Sequence, residues 1–341
     1  MQTAFFIFTR MKKILSTIVC AFFCCMAYCQ TPKELHVTAK TFMRQGDHAN
    51  AIIVLNRALQ LDPENLDMTK DLALSYYSQG DNGNALKTIN ILLDKDVSDD
   101  QTYQIAGLIY KQGNMVKDAE KMYKKALKKF PNSGPLYNEL GELQWQQKNF
   151  DAIKQWEKGI ETDPSYSKNY YNAAKYYYLS SDKVWGLLYG EIFLNMEPIS
   201  TKAPEIKEML LNGYKKLFST ATLDVNAKDN SPFVNAYLKN MNNQGSIVSA
   251  GISTETLSML RTRFVLDWFQ TPNNPSFRLF AYQQQLLREG LFESYNQWLF
   301  GGIQNLSAYQ QWISTHALEH NEFLDFQKGR IFKIPAGEYY K

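Results

Sequence analysis

Through most of the chain, apolar residues recur three or four apart, the spacing that collects them on one stripe of a helix. The runs are punctuated at a fixed interval. Asp62-Pro63 and Asp163-Pro164 each close an amphipathic run, and Pro63, Val97, Pro131, Pro164 and Pro198 keep a 34-residue step that shortens once, by one residue. Gly46-Asp47 and Gly80-Asp81 are also 34 apart, each with an alanine five residues past the glycine, at Ala51 and Ala85. The pattern predicts helix pairs. A glycine that tolerates positive φ turns the chain between the two helices, and a proline stops the second one by disfavouring helical backbone in the residue before it.

Side-chain sizes keep the same register. In the first helix of each pair a small site falls at Ala39, Ala73, Gly107, Gly141 and Ala174, with Phe42, Tyr76, Tyr110, Gln144 and Tyr177 three residues on. In the second helix a small site falls at Ala51, Ala85, Ala119, Ala152 and Gly186. Leu55, Ile89, Tyr123, Trp156 and Gly190 follow it, then Ala58, Leu92, Ala126, Gly159 and Phe193. Antiparallel helices approach closely only where side chains are small, and a neighbouring aromatic fills the remaining space.

This register resembles the tetratricopeptide repeat, a helix-turn-helix unit of 34 residues. The resemblance covers about half of the chain. It implies an all-α fold, a right-handed α-solenoid of five helix pairs over residues 32–65, 66–99, 100–133, 134–166 and 167–200. A helix at 201–218 is expected to cap the last pair, because a terminal repeat must present a polar outer face. Three departures stand out. Gly113 comes one residue early for a turn glycine, the fourth unit is one residue short with Lys148 near the glycine position, and Gly190 and Phe193 exchange sizes. The last is the mark of a unit packed against something other than another repeat.

Beyond a polar linker at 219–230, residues 231–341 remain helical in pattern but lose the register. Helices are expected at 232–241, 254–269 (capped by Ser253 or Thr254), 276–289, 291–300 (stopped by Gly301-Gly302) and 306–327, with 331–335 extended. Aromatic residues crowd this part, among them Phe264, Trp268, Phe280, Tyr295, Trp298, Tyr309, Trp312, Phe323 and Phe326. An aromatic core is the simplest reading. A glycan- or peptide-binding aromatic surface is the alternative.

The start of the chain changes the picture of where it works. Lys12 and Lys13 precede an apolar run at 14–27 and the exit Ala27-Tyr28-Cys29, the layout of a secretory signal peptide over residues 1–29 whose start is Met11. Cleavage before Gln30 would remove all four cysteines and three cations, leaving 34 basic against 34 acidic residues. An exported protein of the periplasm or cell envelope of a Gram-negative bacterium is expected. Membrane association would need an uncleaved signal or a lipid anchor on Cys29. A net charge of +3 over 341 residues offers no cationic excess for a nucleic-acid partner.

The resemblance places a partner protein or peptide on one concave face formed by the first helices. That face carries Lys40, Tyr77, Lys111, Asn138, Glu142, Trp145, Tyr171, Lys175 and Tyr178, with Trp145, Tyr171 and Tyr178 expected to be exposed hot spots. The Lys/Asn clamp with which chaperone-binding relatives hold a terminal carboxylate is not reproduced, since Asp71 and Leu108 take two of its positions. His316, Glu319 and His320 match the H-x-x-E-H spacing of inverted zinc peptidases, but only Glu322, Asp325 and Glu338 follow as a third ligand. Lys121, Lys124, Lys125, Lys128 and Lys129 form a basic stripe, read as a solvated face. No cofactor or metal is expected. The function expected is non-catalytic protein–protein interaction, as a scaffold or assembly factor.

Overall fold

Four polar side chains 34 residues apart start the first helix of four successive pairs. Thr31, Asn65, Asp99 and Ser133 each accept a hydrogen bond from the backbone N–H three residues on, at Glu34, Met68, Thr102 and Leu136. The computed structural model describes residues 30–338 apart from 96–97, 181, 220–222 and 224–230. The expected signal peptide with its cysteines, Val97 and most of the linker lie outside the described residues. The regular structure of the described residues is helical, and they divide into two compact units, up to Ala119 and from Glu120 onward.

The first unit holds α1 (Pro32–Arg44), α2 (His48–Leu61), α3 (Leu66–Ser78), α4 (Asn82–Asp94), α5 (Asp100–Gln112) and the start of α6 (Val116–Lys129). Leu35, Ala39, Leu55, Ala58, Met68 and Leu72 form its core cluster, and the small sites Ala51, Ala73 and Ala85 are fully buried. Consecutive pairs meet as the small-residue register requires. Lys70, only 4% exposed, donates to Asp99 and Gln101 at 2.8 and 2.9 Å and pairs with Asp67, so its charge is compensated where it is buried.

Turn geometry corrects the reading of two units. Gly46, Gly80, Asn114 and Lys148 have φ of 77°, 79°, 56° and 59°, one residue every 34 in the left-handed region. Gly113 is not the turn residue, since its φ is −76° and Asn114 takes the left-handed position. The fourth unit keeps register through Lys148 and loses its residue just afterwards. The buried alanine follows by five positions in the first three units (Ala51, Ala85, Ala119) and by four at Ala152. As a result Asp151 makes no capping bond, whereas Asp47 and Asp81 both cap their helices.

The second unit continues with α7 (Gly134–Gln146), α8 (Ala152–Thr162), α9 (Ser167–Leu179), α10 (Lys183–Met196) and α11 (Ala203–Leu217). A Cβ at Gly141 would run into the Trp156 indole, and one at Gly159 into the Asn169 amide, so both glycines mark close helix approach. In α10, 12 of 14 residues are buried, the condition of a helix surrounded on every side. Gly190 explains the exchanged sizes. A Cβ there would meet Leu210, Met209 and Ile206 at 3.0–3.3 Å, so α11 packs where an earlier unit carries a large residue.

The C-terminal helices are α12 (Pro232–Asn243), α13 (Thr254–Gln270), α14 (Arg278–Arg288), α15 (Phe292–Asn296), α16 (Gly302–Gln304), α17 (Leu306–Thr315) and α18 (Ala317–Gly329). Two expectations fail here. Gly301-Gly302 does not stop a helix: α15 runs through a π turn (Gln297–Gly301) into α16, and Lys207 Nζ donates to the Trp298 carbonyl at 2.6 Å. The helix expected over 306–327 breaks at His316, where φ is −124° and ψ 40°. There the imidazole lies flat on Trp312, with 4.7 Å between ring centres, and its Nδ1 lies 3.1 Å from the Trp312 carbonyl.

Nor do these helices have a core of their own. One cluster runs from Ala152 through Trp185, Phe193 and Leu210 to Phe264, Trp268, Phe280, Tyr295, Phe323 and Ile334. Most of the aromatic crowd is therefore interior, not surface. Among the described residues no helix is long and apolar enough to cross a membrane.

Candidate partner-binding surface

Six of the nine expected site residues lie on two neighbouring first helices of the second unit, α7 and α9, and the structure brings them together. Asn138 Nδ2 donates to Glu142 Oε1 at 3.0 Å, and Asn172 Nδ2 reaches across to Asn138 Oδ1 at 2.8 Å and Glu142 Oε1 at 3.2 Å. Asn138 is fully buried by this network, so it holds α9 against α7 and offers nothing to a partner.

The aromatic residues are half-buried, not exposed. The Trp145 ring lies 5.8 Å from Phe150, 6.0 Å from Trp156 and 5.8 Å from Tyr176. Phe150 itself is 63% exposed, so the shortened turn of the fourth unit presents an apolar edge beside Trp145. Tyr171 leans on Phe193 at 5.3 Å. Tyr178 carries Lys216 Nζ over its ring at 3.9 Å, an attraction between cation and π face.

The cap helix α11 completes the surface. Glu205 accepts from Lys175 Nζ at 2.7 Å and from the Tyr171 hydroxyl at 2.7 Å. Burial alone would raise Glu205 and lower Lys175, yet their mutual hydrogen bonds, with Tyr171, hold the carboxyl below its ordinary range and the amine above. Burial, and next the hydrogen bond to Glu205, raise the Tyr171 hydroxyl. Lys183 is lowered by burial and by nearby Lys216, and it donates to the Tyr178 carbonyl at 2.9 Å. Between α9 and α11 opens a cleft of about 290 Å³ lined by Lys175, Tyr178, Leu179, Glu205, Glu208, Met209 and Asn212. Leu179 is 67% exposed at its rim.

Glu205, Glu208, Met209 and Asn212 escaped the sequence reading because the register was closed at residue 200. Glu205 lies 34 residues after its partner Tyr171, so one further step of the period would have found it.

The remaining site residues belong to the first unit. Lys40 is 53% exposed and 3.9 Å from Asp71, which also meets His36 Nε2 at 2.7 Å. The Tyr77 carbonyl accepts from Gln112 Nε2 at 3.4 Å, and Lys111 is half-buried. His316 and His320 do not share an unbroken helix, and Glu319 is exposed beyond the break. Among the described residues, no group of three or more His, Cys, Asp or Glu could hold a metal ion. The lysine stripe on α6 is exposed, with Lys124 paired to Glu120 at 2.7 Å.

Residues 42–107 and 102–133 match family models described as tetratricopeptide repeat. No curated protein matches the chain. Similar solved structures include a thermophilic TPR protein of Thermus thermophilus, with 14% identity over 54% of this chain and 99% of that one and a TM-score of 0.44. A tetratricopeptide repeat protein of Parabacteroides merdae has 15% identity over 75% of this chain and 97% of its own, with a TM-score of 0.42. Human IFIT1, solved as a dimer with m7Gppp-AAAA, has 18% identity over 87% of this chain and 63% of its own, with a TM-score of 0.44.

Proposed function

We propose that the chain, whose residues 42–133 match tetratricopeptide-repeat models, is a non-catalytic repeat scaffold that captures a protein or peptide in the envelope of a Gram-negative bacterium. The observation that carries this reading is the cleft between α9 and α11. It offers Tyr178, Met209 and Leu179 as apolar contact while Lys175 and Glu205 already neutralise each other. A partner that seats an apolar side chain beside Lys175 and Glu205 meets two charges that already compensate each other, so less desolvation offsets the gain. Export is supported by Lys12 and Lys13 ahead of the apolar run and by the exit Ala27-Tyr28-Cys29.

The test is a photo-crosslinking amino acid at Leu179 in the full chain, expressed in its own cells. A discrete adduct that disappears in Tyr178→Ala is expected, with the mature chain beginning at Gln30. An adduct unaffected by Tyr178→Ala would overturn the assignment of the cleft, and a chain retained in the cytoplasm would overturn the location. Trp145→Ala is not a clean probe, because Trp145 packs on Trp156 and its loss would loosen the repeat itself.

A further inference from the structure

A second cleft, of about 280 Å³, lies where the π turn, the start of α13 and α17 meet. Its wall holds two rings, Tyr309 and Trp312, and the side chains of Gln297, Gln304, Gln311 and Glu255. Tyr309 fits there because Gly301 and Gly302 carry no Cβ: one on Gly301 would come within 2.7 Å of the Tyr309 ring. The π turn that supplies both Gln297 and Gly301 is a local widening of the helix, a device found disproportionately at functional sites.

The polar groups are what mark this cleft as a binding site. Gln297 is only 7% exposed, lines the cleft and has no side-chain hydrogen bond to any described residue. Its amide atoms are not shut away from solvent, so they are open to a ligand or water in the cleft, and the amide can both donate and accept there. Gln304 spends its carbonyl oxygen on the Thr254 hydroxyl at 2.7 Å, which leaves its amide NH2 without a protein partner. Gln311 and Glu255 also lack side-chain partners among the described residues, and no Lys, Arg or His lines the wall.

We propose that this cleft binds a neutral saccharide of one or two rings, the sugar's apolar face lying on Tyr309 and Trp312 and its hydroxyls bonding to Gln297, Gln304, Gln311 and Glu255. Amide donors with one carboxylate acceptor suit hydroxyl groups, which both donate and accept. The lack of a cation disfavours uronic acids and phosphorylated sugars. One face of the Trp312 indole is already covered by His316, so the ring is held flat before any ligand arrives. The site is separate from the cleft between α9 and α11, and its test is independent of that one.

Calorimetry and tryptophan fluorescence on the full chain would use maltose, cellobiose, xylobiose and N,N′-diacetylchitobiose, with digalacturonic acid and N-acetyl-Gly-Gly-amide as contrasts. At least one neutral disaccharide should bind at a single site with a Kd of about millimolar or tighter. Gln311→Ala and Gln297→Met should each weaken it about fivefold or more, and Trp312→Phe should alter the fluorescence response while keeping the fold. Lys121→Ala on α6 should leave binding unchanged. No binding of any neutral disaccharide up to about 20 mM would overturn the proposal. So would binding of the peptide amide alone, or saccharide binding indifferent to Gln311→Ala and Gln297→Met.

Discussion

Glu191 and Arg261, 70 residues apart in the chain, form an ion pair in which 3% and 2% of the two side chains remain exposed. The pair is embedded in hydrogen bonds. Gln283 Nε2 and the Tyr295 hydroxyl donate to Glu191 at 2.6 and 2.8 Å, and Arg261 also donates to Asn296. Removing one partner strands the other in a dry interior, so Glu191→Leu or Arg261→Met alone should cost about 3–5 kcal/mol. The double replacement should recover much of that loss. Urea unfolding of the four proteins checks it, and simple additivity of the two losses would place the pair outside one network.

Helix approach in the repeats rests on missing side chains. Gly141→Leu and Ala119→Leu should each cost roughly 1–3 kcal/mol by overpacking, with Gly141→Leu forcing the Trp156 indole from its seat. Thermal unfolding with Trp fluorescence would report both the loss and the displaced indole. Unchanged melting in both variants would refute the register of small sites.

Lys148 holds a φ of 59°, a conformation that costs a residue with a Cβ about 1 kcal/mol and costs glycine little. Lys148→Gly should therefore stabilise the protein by about 0.5–1 kcal/mol, although the side chain is exposed and its removal leaves no cavity. Gly80→Ala, at the equivalent turn, should destabilise by a similar amount. Paired denaturant midpoints decide between strain relief and a simple loss of charge, for which Lys148→Ala is the control.

Burial lowers the Lys207 amine from an ordinary 10.5 to about 8. Its Nζ sits 3.9 Å above the Trp298 ring and donates to the Trp298 carbonyl. Between about pH 8 and pH 10.5 the unfolded chain holds a proton that the folded chain has released, so stability rises with pH across that window. Below about pH 8 both states are protonated and the gain is absent. The wild-type protein should therefore gain on Lys207→Met as pH is raised from about 7.5 to about 10, the ionising tyrosines cancelling in the difference. A pH-independent difference would mean that the amine titrates as an exposed one.

The repeats were legible because their signals are local and repeated. Each small site, from Ala39 to Ala174, recurs at a known step, and burial follows it at every position. The capping series Thr31, Asn65, Asp99 and Ser133 was equally available in the sequence and sharper than the prolines, since one of those is replaced by Val97. Other features were not legible. Gly301-Gly302 reads as a helix stop, yet the two glycines are there to admit the Tyr309 ring, and a ring arriving from a later helix leaves no local trace. The break at His316 depends on its stacking over Trp312, again a contact and not a propensity. For the expected partner surface, the positions fall on first helices as the register placed them, but the exposure expected of the aromatic residues is not seen. Asn138, Trp145 and Tyr171 are covered by Asn172, Phe150 and Phe193, and the spacing of one helix says nothing about what its neighbour lays on top.

A helix buried on every side has consequences for synthesis. The hydroxyl that meets Glu191 in α10 comes from Tyr295, 104 residues later, and the same hydroxyl accepts from Asn195 Nδ2, 100 residues before it. On the ribosome, α10 finds α9 already made and α11 soon after, but the face that holds Glu191 stays uncovered while about a hundred codons remain to be read before Tyr295 exists. A nascent chain halted in that interval is one that trigger factors and proteases would see as unfinished, however well its first repeats had already set.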